Sequence, residues 1–192
     1  MNFTIGKDHN PNAHAPYVVF KNVLTHEECE YIIGYQNAIM MNEGTVHPDD
    51  PKNLVWYGQV MDDDRIHQIY EKLGPCVEAA NNENWQFDLD GFEEPGFLFH
   101  YLTGGKMSMH GDNCDDYFGM HRKLTIHVNL TGGEWYEGGD IRTGTCGWDG
   151  WDQRRDQGDV MIFPSYMPKE ISEVTEGTQW TYVTFVHGRH FR

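Results

Sequence analysis

The first half of the chain has two segments in which apolar residues recur at helical spacing. One follows Thr25 and Glu28, the polar residues of a capping box. The other follows the acidic run 62–64, where negative charge favours a helix N-terminus, and it continues past Pro75 to about Asn81. Both segments are predicted to be helices, and short strands are predicted beside them at Tyr17–Phe20 and Leu54–Val60.

Beyond Asn84 the pattern changes to short aromatic and β-branched runs that alternate with glycine-rich turns. Since the chain shows no internal repeat and no low-complexity linker, we predict one α+β domain. It comprises a polar tail (1–15), a mostly helical support (16–84) and a sandwich or barrel core (85–192). Strands of the core are predicted at Trp85–Leu89, Gly96–Leu102, Lys123–Leu130, Asp140–Thr143, Gly158–Pro164 and Thr178–Val186.

One of these strands, Lys123–Leu130, alternates strictly between apolar and polar residues. Its apolar face comprises Leu124, Ile126, Val128 and Leu130, and its polar face comprises Thr125, His127 and Asn129. We expect the apolar face to pack under the helices. The polar face then looks either into solvent or into the barrel, and the position of this strand among the motifs below favours the barrel.

The charge balance limits the classes of partner. Asp and Glu number 30 against 14 Lys and Arg, which gives a formal net charge of −16 over 192 residues. A nucleic-acid surface would need a basic stripe, so we expect no nucleic-acid partner. Four cysteines without a CxxC pair favour a reduced chain. No apolar run reaches membrane-spanning length, so we predict a cytoplasmic protein without a membrane partner, located in the host cell if a phage encodes it.

A candidate metal-binding pair follows the aromatic run 97–101 and a glycine turn. His110 and Asp112 stand two positions apart, and residues at i and i+2 of an extended segment point to the same side. Two ligands from one segment leave several coordination positions open, as oxygen-activating ferrous iron requires. Cys114 continues the segment, either as a third ligand or as a loop cysteine near the site.

Further motifs extend this pair into an ordered series. The series comprises Tyr101 before a Gly-Gly turn, His110 and Asp112, Arg122–Thr125, Tyr136–Ile141, Gly158–Ser165, Val174–Thr178 and Phe185–Gly188. In order and spacing it resembles the prolyl 4-hydroxylase-like branch of the iron(II)/2-oxoglutarate-dependent oxygenases, which includes phage and bacterial members. The resemblance covers nearly the whole chain. It implies a double-stranded β-helix, or jelly roll, with the N-terminal helices packed on one sheet.

The resemblance also implies a set of site residues. In such enzymes one His, one Asp and a distal His hold Fe(II), while 2-oxoglutarate and O2 take the remaining positions. His110 and Asp112 match the first two ligands. A basic side chain deep in the barrel anchors the far carboxylate of 2-oxoglutarate. Residues expected to line this cosubstrate pocket are Tyr101, Thr125, Asn129, Lys169 and Gln179.

The chain departs from the family pattern at two positions. Lys169 stands where the distal His is expected, and Gln179 stands where the anchoring base is expected. A lysine ammonium has no lone pair, so it cannot ligate iron unless it is deprotonated. An amide donates a hydrogen bond without charge, which would weaken cosubstrate binding by about 1–2 kcal/mol.

Three hypotheses account for these residues. In the first, the chain is an iron-dependent oxygenase that hydroxylates a prolyl, other peptidyl or small-molecule substrate. Its third ligand is then either water or His127, and His127 otherwise simply packs inside the barrel. In the second, the fold has lost metal-dependent chemistry and serves as a binding or phage structural module. In the third, Lys169 is a catalytic amine nucleophile or Schiff-base former.

Overall fold

The computed structural model describes residues 15–39, 41–43, 50, 53–113, 119–143 and 155–189. The predicted polar tail lies outside the described residues except for its last position, Ala15. Cys114, the alternative metal ligand, also lies outside them.

Two helices form where the apolar periodicity predicts them. α1 (His26–Gly34) begins after Thr25, which exchanges hydrogen bonds with Glu28 in the expected capping box. α2 (Asp64–Ala80) begins after Asp63, whose carboxylate accepts from two N–H groups of the first turn. Helix α2 continues through Pro75, as predicted. In the described part of the chain, neither helix combines the length and hydropathy that a membrane crossing requires.

Antiparallel strands build the rest of the fold. In the described part of the chain they are β1 (Val18–Phe20), β2 (Asn42–Glu43), β3 (Val55–Gln59), β4 (Leu89–Gly91), β5 (Phe97–Tyr101), β6 (Met107–His110), β7 (Arg122–Asn129), β8 (Tyr136–Gly138), β9 (Ile141–Thr143), β10 (Val160–Pro164), β11 (Lys169–Ile171), β12 (Val174–Gly177) and β13 (Gln179–Gly188). The large sheet has the order β1-β10-β7-β13-β5-β3-β2, with β4 beside β13. The smaller sheets have the orders β6-β11-β9 and β12-β8.

The large sheet separates two hydrophobic clusters. On its outer face, Leu124, Ile126 and Val128 pack in one cluster with α2 residues such as Ile69 and Leu73. Thr125, His127 and Asn129 alternate with them on the same strand and are also buried. The second cluster lies inside the barrel, around Tyr101, Met161 and Phe163. The predicted inward direction of the polar face of β7 is therefore confirmed, as is the packing of the helices on one sheet.

Other elements differ from the prediction. Trp85–Leu89 is not a strand, because α2 runs on into a π-helical turn, Asn81–Trp85, and the backbone then reverses at Gln86 with φ 55°. The Asn81 side chain bonds both the N–H and the C=O of Phe87, which replaces the partners that a strand would supply. Strands β6, β8, β11 and β12 were not predicted as strands from the sequence, since they are short and lack aromatic or β-branched runs.

The 16–84 region is also more than a helical support. Its strand β1 pairs with β10, and its strand β3 pairs with β5, so both belong to the large sheet. Tyr57 on β3 consequently reaches the barrel cavity described below. The 16–84 region therefore contributes strands to the large sheet as well as the two helices.

Candidate functional site

A cavity of about 320 Å³ opens between the large sheet and the β6-β11-β9 sheet. One wall is aromatic and comprises Tyr57, Phe97, Phe99 and Phe185. The lining also includes the polar residues singled out in the sequence, namely His110, Asp112, His127 and Lys169. The volume is in the range of pockets that hold a small molecule, and the mixed lining is typical of such pockets.

Two strand pairings bring the charged residues together. Lys169 on β11 lies opposite His110 on β6 in the antiparallel register. The segment after β6 is held by Ser165, whose carbonyl accepts from the N–H groups of Asp112 (2.9 Å) and Asn113 (3.2 Å). Asp112 is thereby turned towards the lysine.

Lys169 and Asp112 form a buried ion pair. The Lys169 Nζ lies 2.5 Å from the Asp112 Oδ2, and their side chains are only 5% and 9% exposed. The same carboxylate oxygen accepts from the Thr125 hydroxyl at 2.7 Å. The Lys169 ammonium therefore contacts Asp112 from the position at which the resemblance places the distal metal ligand.

The charges of this pair set the protonation of its neighbours. Burial raises the pKa of Asp112, but the charges of Lys169 and His110 and the hydrogen bonds from Lys169 and Thr125 outweigh burial and hold it below its ordinary value. Burial, with the charge of Lys169, lowers the pKa of His110. The Nδ1 of His110 lies 2.8 Å from the Ser108 carbonyl and donates to it, so Nε2 carries the lone pair. That nitrogen lies 3.7 Å from the Asp112 Oδ1.

His127 lines the same cavity but does not join the candidate metal-binding pair, His110 and Asp112. It is buried, and its Nδ1 has no hydrogen-bond partner among the described residues. Burial, followed by the charges of Arg155 and Lys169, lowers its pKa well below the ordinary value. Within the described residues, no three of the His, Cys, Asp and Glu side chains converge into a possible metal site. The three-ligand set proposed from the sequence is therefore not assembled.

These observations decide how well the site suits iron. A divalent cation next to Asp112 would meet the Lys169 ammonium, which repels it and supplies no lone pair. His110 and Asp112 supply two ligands, and the third coordination position expected for a protein ligand has none. The residues present do not fit a three-ligand Fe(II) centre.

The expected cosubstrate residues divide into two groups. Tyr101 and Lys169 line the cavity, whereas Thr125, Asn129 and Gln179 do not. Thr125 instead bonds Asp112, while Asn129 and Gln179 meet at the hydroxyl of Tyr136, each at 3.2 Å. The amide nitrogen of Gln179 donates to that hydroxyl, and its Oε1 has no partner among the described residues. Gln179 and Tyr101 are cross-strand neighbours, so the hydrogen-bonded group of Asn129, Tyr136 and Gln179 adjoins the cavity.

Two cationic residues of the barrel were not identified as site residues from the sequence. Arg122 lines the cavity, binds both oxygens of Glu94 at 2.6 Å, and donates to the Asp112 carbonyl at 3.1 Å. Arg155 is buried, and its backbone carbonyl accepts from the side-chain amide of Asn129 at 3.0 Å. Arg122 lies within one of the matched motifs, Arg122–Thr125, and its place there could have identified it as a site residue. Arg155 lies outside every element predicted from the sequence, and no periodicity of the sequence there indicated that its side chain turns inward.

Comparison with solved structures shows that this barrel shares the fold of known prolyl hydroxylases. A Pseudomonas putida prolyl-4-hydroxylase has a TM-score of 0.71 at 14% sequence identity, covering 92% of this chain and 95% of that chain. The viral collagen prolyl hydroxylase of Paramecium Bursaria Chlorella virus-1, as a 2-oxoglutarate complex, has a TM-score of 0.65 at 16% identity, covering 93% and 99%. A Trichoplax adhaerens prolyl hydroxylase, in complex with a hypoxia inducible factor peptide fragment, has a TM-score of 0.65 at 14% identity, covering 93% and 85%.

No family model and no curated protein sequence matches the chain. The likeness therefore lies in the architecture: antiparallel sheets in a jelly roll, with two helices packed on the large sheet. From these findings we conclude that the chain has the prolyl 4-hydroxylase-like fold of the 2-oxoglutarate–Fe(II) oxygenases.

Proposed function

We propose that this chain is a metal-independent binding protein that uses the cavity of an oxygenase barrel without its iron chemistry. The observation that carries the proposal is the buried ion pair between the Lys169 Nζ and the Asp112 Oδ2, at 2.5 Å. A single positive charge from the protein here takes the role that a metal ion would have in neutralising the carboxylate. The pair is also tied to Thr125, so the carboxylate is satisfied without a metal.

The walls of the cavity indicate the character of the ligand. Tyr57 and Phe99 stack with their ring centroids 5.7 Å apart, and Phe97 meets Phe185 edge-on at 6.3 Å. Such a surface binds an apolar or aromatic group, because aromatic side chains bury large areas at low entropic cost. The volume of about 320 Å³ suits a small molecule or a single side chain of a peptide. The peptide complex of the Trichoplax adhaerens hydroxylase supports the second possibility.

A second candidate function is iron-dependent hydroxylation of a peptidyl or small-molecule substrate. It is favoured by the tautomer of His110, whose Nε2 lone pair faces the cavity side of Asp112 at 3.7 Å. In this case Lys169 would have to leave Asp112 when the metal binds. Amine chemistry at Lys169 has less support, because the carboxylate of Asp112 stabilises the ammonium, which is not nucleophilic.

The test is an anaerobic Fe(II) titration in the presence of 2-oxoglutarate, followed by a succinate assay in air. We expect the wild-type protein to bind no Fe(II) and to release no succinate. The variant Lys169→His adds an imidazole opposite His110 and is expected to gain Fe(II) binding. Lys169→Met is the matched control, because it removes the ammonium without adding a ligand.

The outcomes separate the two candidates. Fe(II) binding by the wild-type protein, with succinate release, would overturn the proposal in favour of the iron oxygenase. If Lys169→Met gains as much Fe(II) affinity as Lys169→His, repulsion by the ammonium is the main obstacle. In that case two protein ligands suffice, and the claim that a third ligand is needed is wrong.

A further inference from the structure

The cavity lining contains more cations than anions. Among the described residues, the Asp, Glu, Lys and Arg side chains that line it are Asp112, Arg122 and Lys169. Asp112 is already paired with Lys169, whose Nζ lies 2.5 Å from its Oδ2. Whether the cavity offers a positive charge to a ligand therefore depends on Arg122.

The charge of Arg122 is matched by Glu94, a buried carboxylate outside the cavity lining. The Nε and Nη2 of Arg122 donate to the two oxygens of Glu94, each at 2.6 Å, which makes a bidentate pair. Glu94 is 7% exposed. Its Oε1 also lies 2.8 Å from the Nε2 of His187, a buried residue of β13. The carboxylate that neutralises Arg122 is therefore fixed in place by contacts of its own.

Other parts of the Arg122 guanidinium are engaged as well. Its Nη1 donates to the backbone carbonyl of Asp112 at 3.1 Å. Its central carbon lies 3.8 Å from the centroid of the Phe185 ring, so one face of the cation is stacked on the aromatic wall of the cavity. A ligand can take the Nε and Nη2 donors only by displacing Glu94.

We propose that Glu94 sets the charge specificity of the cavity: because it neutralises Arg122, the cavity selects an uncharged aromatic ligand over an anionic one. The inference deepens the proposed binding function and rests on it. Lys169 and Arg122 each have a carboxylate partner, so an anion that entered the cavity would lose its hydration without gaining a counter-ion. An uncharged ring needs only the aromatic wall. Glu94 acts through Arg122 and is a positioning residue, since it does not line the cavity.

The probe pair is 2-naphthamide and 2-naphthoate, titrated calorimetrically with EDTA present. The two probes have the same fused aromatic body and nearly the same shape, and they differ in charge. We expect the wild-type protein to bind the amide at least about tenfold more tightly than the carboxylate, because the carboxylate would be buried without a cation of its own.

The variant Glu94→Gln tests the role of the buried carboxylate. It leaves the charge of Arg122 uncompensated at the cavity wall, so binding of 2-naphthoate should tighten by about tenfold or more. Binding of 2-naphthamide should stay within about twofold of the wild-type value. A merely structural role of Glu94 would weaken the binding of both probes alike. An unchanged ratio of the two affinities would therefore overturn the inference.

The double variant Glu94→Gln, Arg122→Met removes both members of the pair. It leaves no unpaired charge, so it remains a test even if Glu94→Gln alone does not fold. Binding of 2-naphthoate should return to the weak wild-type level, and the amide should again be preferred. A double variant that preferred the carboxylate would overturn the inference, because the selectivity would then not depend on Arg122.

Asp159→Asn is the matched control. Asp159 is also a buried carboxylate in an ion pair, at 2.6 Å from the Lys21 Nζ, and neither residue lines the cavity. This variant should change stability and leave the ratio of the two affinities as in the wild-type protein. An equal shift of the ratio in Asp159→Asn and Glu94→Gln would overturn the inference, as would the absence of binding by both probes.

Failure of this inference is distinguishable from failure of the proposed function. The EDTA excludes metal, so the charge selectivity of the cavity is measured independently of iron. Fe(II) binding with succinate release would overturn the metal-independent function without changing the ratio of the two probe affinities. A wild-type preference for 2-naphthoate would overturn the inference and leave a metal-independent binding protein in place.

Discussion

Lys169 lies directly opposite His110 in the antiparallel pairing of β11 and β6, and its ammonium reaches past the imidazole to the carboxylate of Asp112. This register places a cation beside the two residues that would begin a metal site. Lys169 therefore makes a specific contact inside the barrel and does not turn out into solvent. Several measurable properties depend on this contact.

The first prediction concerns the energetic coupling of Lys169 and Asp112. Lys169→Met leaves a buried carboxylate without its cation, so we expect the free energy of unfolding to fall by about 3–5 kcal/mol. Adding Asp112→Asn to that variant removes the uncompensated charge, so most of the loss should be recovered. Urea unfolding of both single variants and the double variant measures the coupling. Additive losses would contradict a direct ion pair.

The second prediction concerns stability at acid pH. The folded-state pKa of Asp112 lies below its ordinary value because Lys169 outweighs the effect of burial. Its contribution to stability is therefore complete above the unfolded pKa, about 3.9, and is lost as pH falls through the folded pKa.

In the variant Lys169→Met, the contribution of Asp112 to the pH dependence of stability should have the opposite sign. Burial alone raises the pKa of Asp112, so the folded state binds the proton more tightly than the unfolded state. The variant should then gain stability as pH falls from neutral towards about 4. Denaturant titrations at a series of pH values test this, and parallel pH profiles of the two proteins would contradict it.

The third prediction concerns His127. Burial and the nearby cations hold its pKa well below the ordinary value, so it stays neutral in the folded protein while the unfolded chain takes up a proton. Stability should therefore fall below about pH 6.5, by up to about 1.4 kcal/mol per pH unit for one histidine. His127→Leu should lose this part of the slope. Comparison at alkaline pH, where no imidazole is charged, isolates the effect of repacking; an unchanged slope would contradict the prediction.

The fourth prediction concerns a glycine that joins the helical layer to the barrel. Gly158 has φ +82°, and a Cβ there would collide with the carbonyl oxygen of Leu24. Its own carbonyl accepts from the N–H groups of Val23 and Leu24. Gly158→Ala should therefore cost more than about 2 kcal/mol of unfolding free energy.

A matched control for that variant is available on α1. Gly34 has helical backbone angles, and an added Cβ would meet nothing within 4 Å. Gly34→Ala should stabilise the protein by about 0.5–1 kcal/mol, because it reduces the entropy of the unfolded chain. Equal effects of the two substitutions would show that the left-handed turn at Gly158 is not a constraint.

Much of the architecture could be predicted because local patterns and tertiary burial agree. The alternation on Lys123–Leu130 specified which face of β7 meets the helices, and the capping box at Thr25 specified the start of α1. The pair of His110 and Asp112 was recognisable because i and i+2 residues on an extended segment share a side.

Other features depend on contacts that no local pattern reports. The Lys169–Asp112 pair joins residues 57 positions apart and requires the register between β6 and β11. Likewise, the inward position of Arg155 depends on packing against Met161. The strand predicted at Trp85–Leu89 was wrong because the side chain of Asn81 captures the backbone of Phe87. Charge and propensity alone report none of these specific side-chain contacts.

The pairing of β3 with β5 has a practical consequence for shortening this protein. A version trimmed to begin after α2 would strip Tyr57 from the aromatic wall and leave the backbone groups of β5 unpaired along one edge. Exposed edges of this kind recruit other chains, so such a fragment would be prone to self-association. The N-terminal segment that contains β3 therefore covers one edge of the barrel sheet and cannot be removed without exposing it.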